Sequence, residues 1–312
     1  MTEADHALVT LLGQLKTRAY QFVTPTPATH ARVMNRTPDR EARDVRDALG
    51  WSLPFDPAIL DSEVIATLRA ADALVFMGEG RVKSRYRVSS IGSDLLLHSA
   101  YPTDTEDAVF FGPDSYRFAD LIRAELALCP SRNQAHLVDI GTGSGVGAIA
   151  AARLCPELRV TMTDINAQAL RLARINAAAA GVAAQAVHCA GLDGIEGPID
   201  LVVANPPYII DPAGRHYRDG GDMHGARVSY DMAITALDRL SPSGRFILYT
   251  GSAIIDGHDP LRAALFDLAQ QRSCTIRYRE LDPDMFGEEL EGPAYREVER
   301  IAIIGAVISC PD

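Results

Sequence analysis

The run Asp139-Ile140-Gly141-Thr142-Gly143-Ser144-Gly145-Val146-Gly147 constrains this chain more than any other feature. It stands where the apolar strand expected over residues 136–140 turns into an alanine-rich helix over 146–154, and glycines there let the backbone approach a ligand closely. Around it, strand and helix periods alternate from about residue 109. A helix is expected at 117–128, strands at 159–163, 184–189, 200–204 and 246–249, and helices at 167–180 and through Val228, Met232, Ala236 and Leu240, which recur every four residues. Strands alternating with helices imply a parallel sheet covered on both faces. Two closing strands at 275–281 and 301–308 have no helix between them, which predicts an antiparallel edge pair. The expected fold over residues 106–312 is therefore α/β: a doubly wound, seven-stranded, mostly parallel sheet with an antiparallel edge.

Residues 1–105 read differently, as a smaller α+β domain that selects the substrate. An opening helix is interrupted by Thr24-Pro25-Thr26-Pro27, since proline cannot continue a helix. A later helix, introduced by Pro54 and Pro57, carries Ile59, Leu60, Val64, Ile65 and Leu68 on one face. Residues 81–88 alternate strictly, with Val82, Tyr86 and Val88 opposite Arg81, Lys83, Arg85 and Arg87, the pattern of a half-buried strand. Gly92-Ser93-Asp94 then turns the chain into Leu95-Leu96-Leu97, making a β hairpin, and the domain ends near Pro102-Thr103-Asp104-Thr105. The four bases read either as a docking face or as a solvated edge that discourages sheet-to-sheet association; the second reading is preferred.

The net charge of −11 is unevenly placed. Residues 1–100 hold 12 acids and 12 bases, whereas residues 101–312 hold 29 acids and 18 bases. That acidity argues against a catalytic half that grips bare nucleic acid, because phosphate neutralisation requires a positive surface. No apolar run reaches the roughly 18 residues of a membrane span, and the first residues lack a basic then apolar leader, so a cytoplasmic protein with no membrane partner is expected. Five scattered cysteines (129, 155, 189, 274 and 310) suggest neither a zinc knuckle nor a disulfide framework, and the spacing of His216, His224 and His258 assigns no metal.

Gly143, Gly145 and Ala148 satisfy a dinucleotide fingerprint, and Asp164, at the end of the second strand, can accept both hydroxyls of a ribose. Both features fit a nicotinamide oxidoreductase as well as other nucleoside-binding enzymes. Asn205-Pro206-Pro207-Tyr208, directly after the strand through Ala204, separates the readings. Two consecutive prolines remove two backbone donors and leave carbonyl oxygens facing outward. Beside them the Asn205 amide and the Tyr208 ring suit a planar group bearing N–H.

Together, Val138 to Gly145, Asp164 and Asn205-Pro206-Pro207-Tyr208 resemble the class I S-adenosylmethionine-dependent methyltransferases, which are Rossmann-like. More narrowly they resemble the branch that methylates nitrogen on planar groups: the protein-(glutamine-N5) enzymes acting on release factors, the adenine-N6 enzymes and the guanine-N2 enzymes of ribosomal RNA. The resemblance covers roughly residues 109–310. It implies that S-adenosyl-L-methionine is the cofactor, with Gly141, Gly143 and Gly145 around its methionine part, Asp164 at the ribose, Leu192 and Asp193 beside the adenine, and Asp139, Thr142 and Ile165 also in the cofactor set. Asn205 would touch cofactor and substrate, with Pro206, Pro207 and Tyr208 completing the catalytic set. Phe111 to Phe118 occupies the place of a segment that closes over the methionine end, which puts Tyr116 and Phe118 in the cofactor set. Two further segments stay open: the glycine-rich 217–225 as a substrate border or a loop leading into a helix, and the acidic 282–291 as a solvated loop or a cation-attracting flap.

The resemblance thus implies an N-methyltransferase acting on an amide or amine of a protein, peptide or small metabolite. A nucleic-acid base methyltransferase is the second reading. A nicotinamide oxidoreductase and a non-catalytic binding module remain behind it.

Overall fold

The computed structural model describes residues 1–37, 40–103, 105–128, 133–211 and 218–311. The amino-terminal part contains helices α1 (Glu3–Thr17), α2 (Pro27–Met34), α3 (Val45–Leu49) and α4 (Ser62–Ala70), followed by strands β1 (Leu74–Gly78), β2 (Arg81–Ser84), β3 (Tyr86–Ile91) and β4 (Asp94–Ser99). Its strands form two separate antiparallel pairs, β1 with β2 and β3 with β4, where the sequence predicts one hairpin. The first helix ends well before the prolines. Pro27 instead opens α2, where its missing N–H costs nothing, and Thr26 caps that helix. Ile59 belongs to a short turn ahead of α4 and is 36% exposed, so the apolar face of α4 is Val64, Ile65 and Leu68.

The strand expected over 81–88 breaks at Arg85. The Ser84 hydroxyl donates to the Tyr86 carbonyl at 2.7 Å and accepts from the Tyr86 N–H at 3.1 Å, replacing ladder bonds and turning the chain. The basic face is corrected with it. Arg81 pairs with Glu41 and Glu79, Arg85 donates to the Asp72 carbonyl, Lys83 donates to the Tyr101 carbonyl, and Arg87 is fully buried.

The larger part runs α5 (Pro113–Leu128), β5 (His136–Ile140), α6 (Val146–Leu154), β6 (Arg159–Asp164), α7 (Ala167–Ala180), β7 (Ala184–His188), β8 (Ile199–Ala204), α8 (Arg227–Leu237), β9 (Leu240–Ile254), α9 (Pro260–Gln271), β10 (Thr275–Asp282) and β11 (Arg300–Ser309). Seven strands form one sheet in the order β10-β11-β9-β8-β5-β6-β7. Strands β5 to β9 are mutually parallel, while β11 is antiparallel to both β9 and β10. The expected α/β sheet and its antiparallel edge are both present. Leu240 lies in β9 rather than in the helix before it, and α9 is an element the sequence reading omits.

Strand side chains alternate between two cores. Leu137, Leu201, Val203 and Ile247 face α5, α6 and α7, while Val138, Val202, Phe246 and Leu248 face α8 and α9. Helix α7 has a second apolar side. Ala169, Leu172 and Ile175 share the core of the amino-terminal part with Leu8, Leu11, Leu68 and Leu97. Asp5 of α1 pairs with Arg171 of α7 at 2.7 Å, and Arg171 also donates to the Tyr86 hydroxyl. The amino-terminal part is thereby fastened to the helix that follows Asp164. Cys129 lies outside the described residues; Cys274 and Cys310, far apart in sequence, stand with sulfurs 3.2 Å apart beside the β10–β11 pair.

Candidate active site

Strand order reverses direction between β5 and β8, and in doubly wound sheets the crevice beyond the strands' carboxyl ends at such a point takes the ligand. A cavity of about 540 Å³ lies there, lined by the turns after β5, β6, β7 and β8. Gly141, Gly143 and Gly145 have φ of +62°, +55° and +84°, a region that side-chain-bearing residues rarely enter. A Cβ on Gly143 would meet nothing closer than 4.0 Å and one on Gly141 only Met232, so bare backbone faces the cavity. Gly145, at the start of α6, instead packs against Ala173 of α7 and does not line the space.

Asp139 sits under this turn with 1% exposure. It accepts from the Thr142 hydroxyl at 2.7 Å and from the Ala148 N–H at 2.9 Å, and burial pushes its carboxyl up to about 7. Its place is structural to the turn rather than on the cavity wall. At the next strand end, Asp164 lines the cavity and accepts from the N–H groups of Gly143 and Asn166 at 3.0 and 2.8 Å; burial raises its pKa and these bonds lower it. Ile165 beside it is 53% exposed, an apolar shelf at the cavity. After β7 the lining residues are Cys189, Ala190 and Gly191. Leu192 is buried in the core beneath, and Asp193 is exposed away from the cavity.

Asn205, Pro206, Pro207 and Tyr208 line the opposite end. Among the described residues the Asn205 side chain has no hydrogen-bond partner, so its amide is available to a ligand. The Tyr208 ring rests on Gly251, where a Cβ would come within 2.4 Å of the ring, and its edge meets Phe286. The Tyr208 hydroxyl is buried without a well-formed bond, close to Asp114, whose carboxylate accepts from the Tyr249 hydroxyl at 2.8 Å. Burial raises the Asp114 pKa and the Tyr249 bond opposes it.

In the Phe111–Phe118 segment, which becomes the first turns of α5 from Pro113 on, Phe118 lines the cavity and Tyr116 does not. The Tyr116 hydroxyl accepts from the Thr24 N–H and its ring meets Phe111, so it belongs to the junction with the amino-terminal part. Asp114 and Ser115 are among the lining residues that the sequence does not single out, although an acid followed by a hydroxyl residue is a visible signal; Ser144, Asn166 and Cys189 to Gly191 are others.

Both open loops reach the site. Tyr217 and His216 lie outside the described residues, but Arg218 and Asp219 line the cavity. Gly220 and Gly225 clamp the backbone of Tyr208: a Cβ on Gly225 would lie 2.4 Å from the Tyr208 carbonyl oxygen, and one on Gly220 would strike Gly225 itself. From the acidic segment, Phe286 enters the lining while Asp282 and Glu289 pair with Arg117 and Arg218. Two of its acids fasten the segment over the cavity, while Asp284, Glu288 and Glu291 stay exposed to solvent.

Residues 123–253 match the model of the methyltransferase small domain. That stretch runs from within α5 to the end of β9 and carries the turns that line the cavity, in agreement with the resemblance of its motifs to the class I S-adenosylmethionine-dependent methyltransferases. Among curated relatives of this chain, a release factor glutamine methyltransferase of Deinococcus radiodurans is 33% identical over 49% of this chain and 55% of its own length. A ribosomal RNA small subunit methyltransferase C of Ectopseudomonas mendocina is 33% identical over 28% of this chain and 30% of its own. The chain thus spans about half or less of the relatives it matches. The solved structure of Trm5b from Pyrococcus abyssi shares the fold, with a TM-score of 0.51 at 13% identity, covering 80% of this chain and 68% of that one.

The cavity fits the methyltransferase cofactor, S-adenosylmethionine. Bare glycine backbone, a carboxylate held by two N–H groups and the exposed Ile165 offer in turn a close approach, a ribose acceptor and an apolar surface for a purine. No described helix is long and apolar enough to cross a membrane.

Proposed function

We propose that this methyltransferase transfers a methyl group to a planar amide or amine nitrogen of a protein, peptide or small metabolite. One observation carries the reading: the unpartnered Asn205 amide shares a cavity with the glycine turn and Asp164. Gly141, Thr142, Gly143, Asp164, Ile165 and Phe118 would hold the cofactor, with Asp139 and Gly145 fixing the turn. When bound, that cofactor supplies an electrophilic methyl sulfonium.

An amide or arylamine nitrogen is a poor nucleophile because its lone pair is delocalised. Asn205 and the Pro206 carbonyl accept its two hydrogens, favour a pyramidal nitrogen and stabilise the charge it acquires. Tyr208, locked on Gly251, presents a flat face to the acceptor, while Pro207 holds the turn rigid. The methylated nitrogen is acidic and loses its proton without a strong base. A second reading, methylation of a nucleic-acid base, draws on the relative that acts in its name on ribosomal RNA. The intramolecular partners of all four bases at 81–87, with Arg87 buried, Lys83 half-buried and Arg81 ion-paired, weigh against it. Labelled cofactor incubated with size-fractionated extract, with and without protease or nuclease, tests both readings. Label lost to protease or confined to small molecules supports the first, and label lost to nuclease overturns it.

A further inference from the structure

The two inward-facing bases of residues 81–87 end in a place the methyl-transfer reading does not use. Arg87 is 0% exposed. Its Nε donates to the Ser99 carbonyl at 3.1 Å, its guanidinium lies 3.5 Å over the Tyr101 ring, and both terminal nitrogens are buried without a hydrogen-bond partner. The Lys83 ammonium bonds only the Tyr101 carbonyl, at 2.6 Å. His30 packs against the same Tyr101 ring, their centroids 3.9 Å apart and the rings tilted, and its Nε2 lies 2.8 Å from the Trp51 carbonyl oxygen. His98, fully buried, bonds Ser89 and leaves Nδ1 unpaired.

Among the described residues no aspartate or glutamate pairs with any of these four groups. Their mutual repulsion and their burial act in one direction: Arg87 and Lys83 both disfavour a charged His30, and Arg87 does the same to Lys83 and to His98. A buried charge without a counter-charge is among the most costly arrangements in a folded protein, and native structures avoid it with an acid or a bound ion. Nothing among the described residues supplies the acid.

We propose that the amino-terminal part holds an oxyanion, a phosphate or carboxylate group of a small molecule, with the Arg87 guanidinium fork as its floor and Lys83 and His30 at its mouth. An unpaired guanidinium fork matches two oxygens of either group, and the adjacent ammonium adds a point charge. Lys83, His30 and Trp51 are only half-buried, so approach is from their side, by displacement of the His30 ring from Tyr101. This site is distinct from the cofactor cavity, although the wall between them is thin: Phe111, stacked on His98, follows Phe110 of the cavity lining.

The test uses the full chain in chloride buffer, titrated separately with inorganic phosphate and with acetate at constant ionic strength while thermal unfolding is followed. The site predicts a saturable rise in Tm with at least one of them, and the stronger arm identifies the group. Arg87→Met should abolish that rise and should unfold no lower than wild type in chloride alone, because it removes the uncompensated charge. Should Arg87→Met fail to fold, Lys83→Met and His30→Ala, at half-buried positions, should each raise the half-saturating concentration at least fivefold. A flat response to both anions in wild type, or a rise undiminished in Arg87→Met or in both rim variants, overturns the site. S-adenosylhomocysteine binding is not required for any of these outcomes, so they stand or fall apart from the methyl-transfer reading.

Discussion

In the proposed mechanism Asn205 carries the chemistry, and removing its amide should separate binding from turnover. Asn205→Ala is expected to lower turnover by about 100-fold or more, in the range seen when one preorganised transition-state contact is lost, while S-adenosylhomocysteine affinity stays within a few fold. Steady-state kinetics with calorimetry checks this, and near-normal turnover would contradict the assigned role. Asp139 governs a different property. Its carboxyl is pushed up to about 7 by burial, against about 4 in an unfolded chain, so the folded state keeps a proton the unfolded state releases. Its contribution is therefore full below about pH 4 and is lost as pH rises through about 7. Asp139→Asn, which stays neutral, should show a flatter Tm profile than wild type across about pH 4–8; parallel profiles would refute this. At Gly225, φ is +91° and a Cβ would press on the Tyr208 carbonyl, so Gly225→Ala should cost about 2–4 kcal/mol in urea unfolding. Local residue chemistry made Asn205, Asp164 and the glycines legible in the sequence. Tyr116 and Arg87 were not, because what they meet, Thr24 and Tyr101, is set by folding rather than by neighbours in the chain.

At the scale of elements, α7 connects the two parts. Its buried Asn176 accepts from the Leu97 N–H at 2.8 Å, and its amide donates to the Leu97 carbonyl at 2.9 Å and to the Ser144 carbonyl at 2.8 Å. One side chain thus braces strand β4 against the glycine turn. Asn176→Leu leaves three backbone groups unpaired, and its Kd for S-adenosylhomocysteine should rise at least tenfold by calorimetry. An unchanged Kd in a folded variant would show that the brace does not set the turn. The central strands were readable because each is a short apolar run between turn residues, with a two-residue alternation the cores reproduce. Helix α9 carried a signal as well, Asp259 capping ahead of Pro260 and Leu261, Leu265 and Leu268 on one face, that the reading passed over. Strand β1 carried none: Val75, Phe76 and Met77 are all exposed, so its residues show no buried face. The break at Arg85 depends on one hydroxyl, which no periodicity reports.

For the whole molecule, the sheet and its cavity lie in the acidic two-thirds of the chain, and the amino-terminal part is packed onto α7 rather than hung from a linker. Packing buries Arg87, Lys83 is half-buried, Arg81 is ion-paired and Arg85 bonds a backbone carbonyl, so little of a free basic face is left for nucleic acid. What remains open to an acceptor is the end of the cavity bounded by Tyr208, Asp219, Arg218 and Phe286. The most direct test of the account is a calorimetric titration of the full chain with S-adenosylhomocysteine and, separately, with NADH. A saturable heat with S-adenosylhomocysteine and none with NADH is predicted; binding of NADH alone would contradict the assignment of this cavity to methyl transfer.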